Sequence, residues 1–106
     1  MKIYGLKTCD TCRAAVKALA GQGAVWVDIR AEPLDPATRA SFLAEFGEAL
    51  VNRRSTTWKG LSEAERAGAP EDLLAAHPAL MKRPVIAAGG KLYLGWDAGV
   101  RAALGV

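Results

Sequence analysis

Soft metal ligands are scarce: the 106 residues hold two cysteines and one histidine. Cys9 and Cys12 could supply half of a four-ligand zinc site, but His77, the other soft ligand, sits far along the chain at an expected helix end. No metal is expected. Long apolar runs are absent as well, so no segment approaches the ~20 residues of a membrane span. The opening stretch, Met1 to Lys7, has no long apolar stretch of the signal-peptide kind. The expectation is a cytoplasmic protein without a membrane partner, whose thiols stay reduced unless chemistry uses them. Runs of like charge are missing too. The net charge is +3, yet the basic residues are scattered except at Arg53-Arg54. That pattern disfavours nucleic acid and reads as a mild preference for small anionic substrates.

What remains is an ordinary globular chain, 51% hydrophobic and 24% charged, with no internal repeats or linkers. Its length supports one domain, residues 1–106, with a single modest core. Lys2 to Gly5 reads as a first strand, and about Asp10 to Ala20 as a helix with Cys12, Val16 and Leu19 at helical spacing. Ala24 to Ile29 is rich in β-branched residues and reads as a buried strand. A crossover helix between two such strands makes a right-handed parallel unit.

Residues of about 34–80 carry helix signals and no strand signal. Asp35 and Pro36 open a helix to about Phe46, with an N-cap followed by proline at the first position. Ser62 to Glu65 is a capping box for a short helix. Pro70-Glu71-Asp72 opens another that runs to His77. The end of the chain returns to sheet: Arg83 to Ala88, a Gly89-Gly90 turn, and Lys91 to Leu94 form a hairpin. Asp97 caps a closing helix. The resulting class is α/β, a thioredoxin-like arrangement of β-α-β, helical insertion and β-β-α on a small mixed sheet. Its core would be about 1–33 and 81–106.

Chemistry concentrates at Thr8-Cys9-Asp10-Thr11-Cys12. Cys9 falls where the first strand hands over to a helix, beside free backbone N–H groups at the positive end of the helix dipole. Both favour thiolate over thiol. Cys12, one turn on, can attack a mixed disulfide formed at Cys9. The other reading of the pair is two buried, inert cysteines. Lys7 and Arg13 add positive charge nearby. Arg83-Pro84 opens the third strand, where proline is allowed at an edge or as a cis turn. In a thioredoxin-like fold Pro84 packs beside the cysteine loop and Arg83 points at Cys9; from residues alone Arg83 is equally a surface arginine. Asn52 to Trp58 is a basic, hydroxyl-rich loop in which Arg53 and Arg54 suit carboxylates or oxyanions. A solvated helix terminus explains it as well. Trp26 and Trp58 read as packing residues, and Trp96 as a border of the site.

With these four motifs in order, the chain resembles the arsenate reductase (ArsC)-like family. It is most similar to the YffB-type branch, with the Spx-type regulators as relatives. The resemblance spans nearly the whole chain and implies a cysteine nucleophile at Cys9, a substrate-orienting Arg83, and glutathione as co-substrate without a bound cofactor. Thr8, Asn52, Arg53, Arg54, Pro84 and Trp96 join the implied substrate-binding set. The family's arsenate reductases use three arginines and a glutaredoxin. Of those arginines Arg83 alone matches, while the others fall at Asn52 and near Trp96. Cys12 is a further departure, shared with the Spx-type regulators. The resemblance therefore implies first a glutathione-dependent thiol/disulfide oxidoreductase. Glutaredoxin-dependent arsenate reduction is the alternative, and a redox-sensing regulator that binds RNA polymerase is the third reading.

Overall fold

Four short strands form one mixed sheet in the computed structural model, which describes residues 1–106. They are β1 (Lys2–Gly5), β2 (Val25–Asp28), β3 (Val85–Ala88) and β4 (Lys91–Leu94), in the spatial order β2-β1-β3-β4. Six helices accompany them: α1 (Asp10–Ala18), α2 (Pro36–Phe46), α3 (Thr56–Lys59), α4 (Glu63–Arg66), α5 (Pro70–Ala76) and α6 (Ala98–Ala103). Residues Met1–Glu32 and Arg83–Val106 make one unit, and Pro33–Lys82 make a second. The mixed sheet and the helix order are those of the thioredoxin-like class.

In the first unit β1 runs parallel to β2 and antiparallel to β3, so Ile3 pairs with Trp26 on one side and Ile86 on the other. A parallel pair needs a crossover, and α1 supplies it. Ile3 and Ile86 are buried in one cluster with Ala15 and Leu19, the α1 face, and Leu104, just after α6. The helix stops at Leu19, earlier than its apolar spacing suggests, and a 3-10 turn at Ala20–Gln22 ends on Gly23 with φ +70°. β2 departs from expectation. It is an edge strand rather than a buried one, with Val25 54% exposed. Its β-branched composition reports strand propensity but not its place in the order, because only β1 pairs with it.

The hairpin follows its turn chemistry. Gly89 and Gly90 have φ of +57° and +79°, the positive values that a two-residue turn of this hand requires at both positions. The Arg83–Pro84 peptide is cis, and Gly95 N–H donates to the Pro84 carbonyl at 2.8 Å. Asp97 caps α6 by accepting from Val100 N–H at 2.9 Å. Gln22 Nε2 donates to Leu104 O at 3.1 Å, tying the turn after α1 to the chain end.

The second unit is helical throughout, with one isolated antiparallel bridge between Val51 and Met81. Its helices start at the expected caps. Asp35 accepts from Thr38 N–H at 2.7 Å, and Ser62 and Glu65 complete a reciprocal capping box. α2 packs against α5, where Arg39 donates to Glu71 at 2.8 Å and to Leu34 O at 2.8 Å. His77 is the C-cap of α5 and lies 3.7 Å from Glu65. Around the bridge, Asn52 N–H donates to Leu80 O at 2.8 Å and Lys82 N–H to Leu50 O at 2.7 Å. Those bonds hold the segment entering the Asn52 loop beside the segment leading to Lys82.

Candidate active site

The turn after β1 presents Cys9. Cys9 N–H donates to Leu6 O at 3.1 Å, and Arg13 N–H donates to Cys9 O at 3.0 Å, so Cys9 is the N-cap residue of α1. Its sulfur makes no cap bond of ordinary hydrogen-bond geometry. The Cys12 N–H, three residues into the helix, acts on it electrostatically. Partial burial opposes ionisation of Cys9, but that N–H, the Cys12 thiol and the Arg83 guanidinium together outweigh it and hold the thiol below its usual range. Arg83 contributes both a hydrogen bond and its charge.

Cys12 is the opposite case. It is fully buried on the inner face of α1. Burial pushes its thiol up to about 12, and the neighbouring Cys9 adds to the push, while the Leu6 N–H and the Arg83 charge work against it. Two thiols in contact thus have ionisation properties driven apart: one half-exposed and held below its usual range, one buried and pushed up. A methyl group on Gly5 would stand 2.4 Å from Cys12 Sγ and 3.1 Å from the Trp26 ring. The glycine in β1 is what leaves room for the second thiol. Both cysteines are reduced.

These three residues, Cys9, Cys12 and Arg83, are brought together. Thr8 is exposed on the turn before Cys9, and Pro84 is buried. Trp96 packs, half-buried, against the cluster of Ile3, Ile86 and Leu104. No group of three or more histidines, cysteines and carboxylates is close enough to hold a metal.

The sequence pattern of the ArsC family covers residues 4–103. The chain belongs to the ArsC family. An uncharacterised protein of Haemophilus influenzae is 36% identical over 102 residues, 90% of each chain. Among solved structures, the YffB protein superposes with a TM-score of 0.86 at 32% identity, covering 96% of both chains. An arsenate reductase (ArsC)-related protein from Brucella melitensis has a TM-score of 0.73 at 34% identity, covering 99% of this chain and 94% of that one. The fold is that of an arsenate reductase-like thiol oxidoreductase, and this ArsC-family chain is an oxidoreductase-like enzyme.

The other basic residues of this ArsC-family chain form their own constellation in the second unit. The Asn52 amide oxygen accepts from Arg54 N–H at 3.0 Å, and Asn52 O accepts from Ser55 Oγ at 2.7 Å. The stretch read as a loop then becomes α3, because Ser55 caps it by accepting from Trp58 N–H at 3.1 Å. Arg53 lies 3.6 Å from Glu48 and 5.4 Å from the centre of the Trp58 ring. Arg66 lies 5.7 Å from the same ring and donates to Trp58 O. Trp58 is therefore a platform for two guanidiniums rather than a packing residue alone. Asn52, Arg53, Arg54 and Lys82 line a concavity of about 710 Å³ with Glu48, Ala49 and Val51. The side chains of Arg54 and Lys82 make no internal hydrogen bond or ion pair, so their charges are available to an anion. Lys82 was not singled out from sequence; the signal for it is the Lys82-Arg83 pair. Gly5 was missed too, and only its place two residues after the buried Ile3 hinted at a close approach.

Proposed function

We propose that the chain is a glutathione-dependent thiol/disulfide oxidoreductase. The carrying observation is that Cys12 and Arg83 act together on the Cys9 sulfur. The Cys9 thiolate attacks one sulfur of a substrate disulfide, forming a Cys9 mixed disulfide and expelling the other sulfur as a thiolate. Cys12 then attacks the Cys9 sulfur and releases the bound half as a second thiol. Together the two steps give two electrons to the substrate and leave a Cys9–Cys12 disulfide. Two molecules of glutathione reduce it again and leave as glutathione disulfide.

The thiol with the higher pKa is able to serve second. Part of the upward push on Cys12 comes from Cys9, and that charge disappears once Cys9 is in a mixed disulfide. Burial still raises Cys12, the Leu6 N–H and Arg83 work against it, and the Cys12 proton passes to the departing thiolate as the new S–S bond forms. Arg83 stabilises the Cys9 thiolate whenever it is the leaving group, which speeds reduction by glutathione. In the second unit Arg54, with Arg53 and Asn52, is assigned to a carboxylate of glutathione or another small anion; in the first unit Thr8, Pro84 and Trp96 are assigned to the substrate at Cys9. A reducing compartment, the cytoplasm, suits this cycle.

Treatment with oxidised glutathione, followed by intact mass measurement, tests it. The expected product is a chain that has lost two hydrogens, while Cys12→Ser stops at one glutathione adduct on Cys9. A chain left unmodified at neutral pH overturns the reading. Arsenate reduction is the second reading, favoured by the family and by Arg83 beside the nucleophile. It requires arsenate-dependent NADPH consumption with glutathione, glutaredoxin and glutathione reductase, above a Cys9→Ser control. Having Asn52 and Trp96 where the resemblance implies arginines weighs against it, since a charge-assisted bond is worth roughly 1.5–3 kcal/mol.

A further inference from the structure

A second recess lies in the first unit, beside the cysteine turn. It has a volume of about 360 Å³ and is lined by Val16, Trp26, Lys7, Arg13 and Lys17. Val16 and Trp26 are half-buried against the core and form an apolar floor. The three remaining lining residues are cations, and no carboxylate is among them. Arg13 donates to the Lys7 carbonyl at 3.4 Å, which draws the two ends of the cysteine turn together on one rim. The charges facing these cations are Asp10, which pairs with Arg13, and Asp28, which senses Lys7 after its stronger bond from Arg30 N–H. Lys17 has no carboxylate partner.

We propose that this recess docks an acidic segment of a protein substrate, which inserts one aromatic or large aliphatic side chain between Val16 and Trp26. Size and chemistry fit: the volume lies in the ~300–1,000 Å³ range of ligand pockets, with an apolar floor and a few placed charges. Complementary charge at the rim favours glutamates or aspartates flanking the inserted residue. Position decides for a polypeptide. Lys7 is two residues before Cys9, a span of at most ~7 Å of chain, and Arg13 is one helical turn after it. A protein disulfide that reaches Cys9 can lay its neighbouring residues over this rim. Oxidised glutathione has only γ-glutamyl and glycyl residues beside its cysteines, with no aromatic or large aliphatic side chain to insert. The inference rests on the thiol-reductase reading and names its partner class.

The test separates docking from turnover. Isotope-labelled Cys9→Ser protein is titrated with the peptides Glu-Glu-Phe-Glu, Lys-Lys-Phe-Lys and Glu-Glu-Gly-Glu while the Trp26 indole N–H resonance is followed. The acidic aromatic peptide is expected to shift that resonance and to bind about tenfold tighter than either control, a difference near 1.4 kcal/mol. Lys17→Glu, at an exposed helix position, should remove most of the gain, and Lys91→Glu on the distant hairpin should not. Equal binding of acidic and basic peptides, or shifts that spare Trp26, overturns the proposal. Tighter binding of naphthalene sulfonate, with displacement of the peptide, also overturns it and assigns the recess to small aromatic anions. Because Cys9 is absent from these titrations, failure to bind leaves the disulfide chemistry untouched. Failure of the glutathione reaction likewise leaves the binding result standing.

Discussion

Gly5 and Cys12 compete for one volume: a methyl group on the glycine would lie 2.4 Å from the cysteine sulfur. The buried thiol therefore depends on a missing side chain in β1. Gly5→Ala should destabilise the protein by about 1–3 kcal/mol, the usual cost of overfilling a packed interior. Cys12→Ala in the same chain should recover most of that loss, because the closest contact goes with the sulfur. Urea unfolding of the two single variants and the double variant measures the coupling.

Arg83 is the one charged side chain acting on the Cys9 sulfur. Arg83→Met should move the midpoint of Cys9 alkylation to higher pH, and Arg83→Lys should restore part of the shift through charge alone. Iodoacetamide rates between pH 5 and 10, read by mass, follow this directly. An unchanged midpoint in Arg83→Met, with an unchanged circular dichroism spectrum, would remove the guanidinium from the account.

The two thiols should titrate in separate steps. At neutral pH the alkylated product is a single adduct on Cys9, and Cys12 resists until the pH approaches its value of about 12 or the chain unfolds. A stability trend accompanies this. Between the ordinary thiol range and about 12, the folded chain keeps a proton on Cys12 that the unfolded chain releases. Stability contributed by Cys12 is thus whole below that window and falls as pH rises through it. Cys12→Ala should flatten the fall, measured as the unfolding midpoint at pH 8, 9 and 10.

Arg39 links α2 to α5 through Glu71 and closes on the Leu34 carbonyl. It is 14% exposed and Glu71 38%, so the pair is only partly screened. Arg39→Met should lower stability by about 1–2 kcal/mol while leaving Cys9 alkylation at pH 7 unchanged. Thermal unfolding beside the alkylation rate checks both halves.

Local signals were legible in the sequence wherever one stretch of chain decides the outcome. Asp35 and Pro36, the Ser62–Glu65 box, the Gly89-Gly90 turn and Asp97 each act within four residues, and each appears where its chemistry places it. The Cys9 and Cys12 pairing was legible because helix geometry alone puts them on one turn. Features that need distant partners were not legible. Nothing in Val25-Trp26-Val27 says that only β1 will pair with that strand. Trp58 meets Arg66 only because α3 and α4 turn back on each other, and the crowding of Gly5 exists only once α1 lies over β1. Arg83 was placed at Cys9 only through the thioredoxin-like fold, since no local pattern connects positions so far apart.

The first unit is discontinuous, and order of synthesis gives that a meaning. Arg83 follows Cys9 by 74 positions in the chain, so at ~5–20 residues per second the ribosome delivers the cysteine several seconds before the guanidinium. Until β3 docks on β1, Cys9 lacks the cation that helps ionise it. The nascent chain thus carries Cys9 without one of the groups that lower its thiol, and the full set is assembled only when the sheet closes.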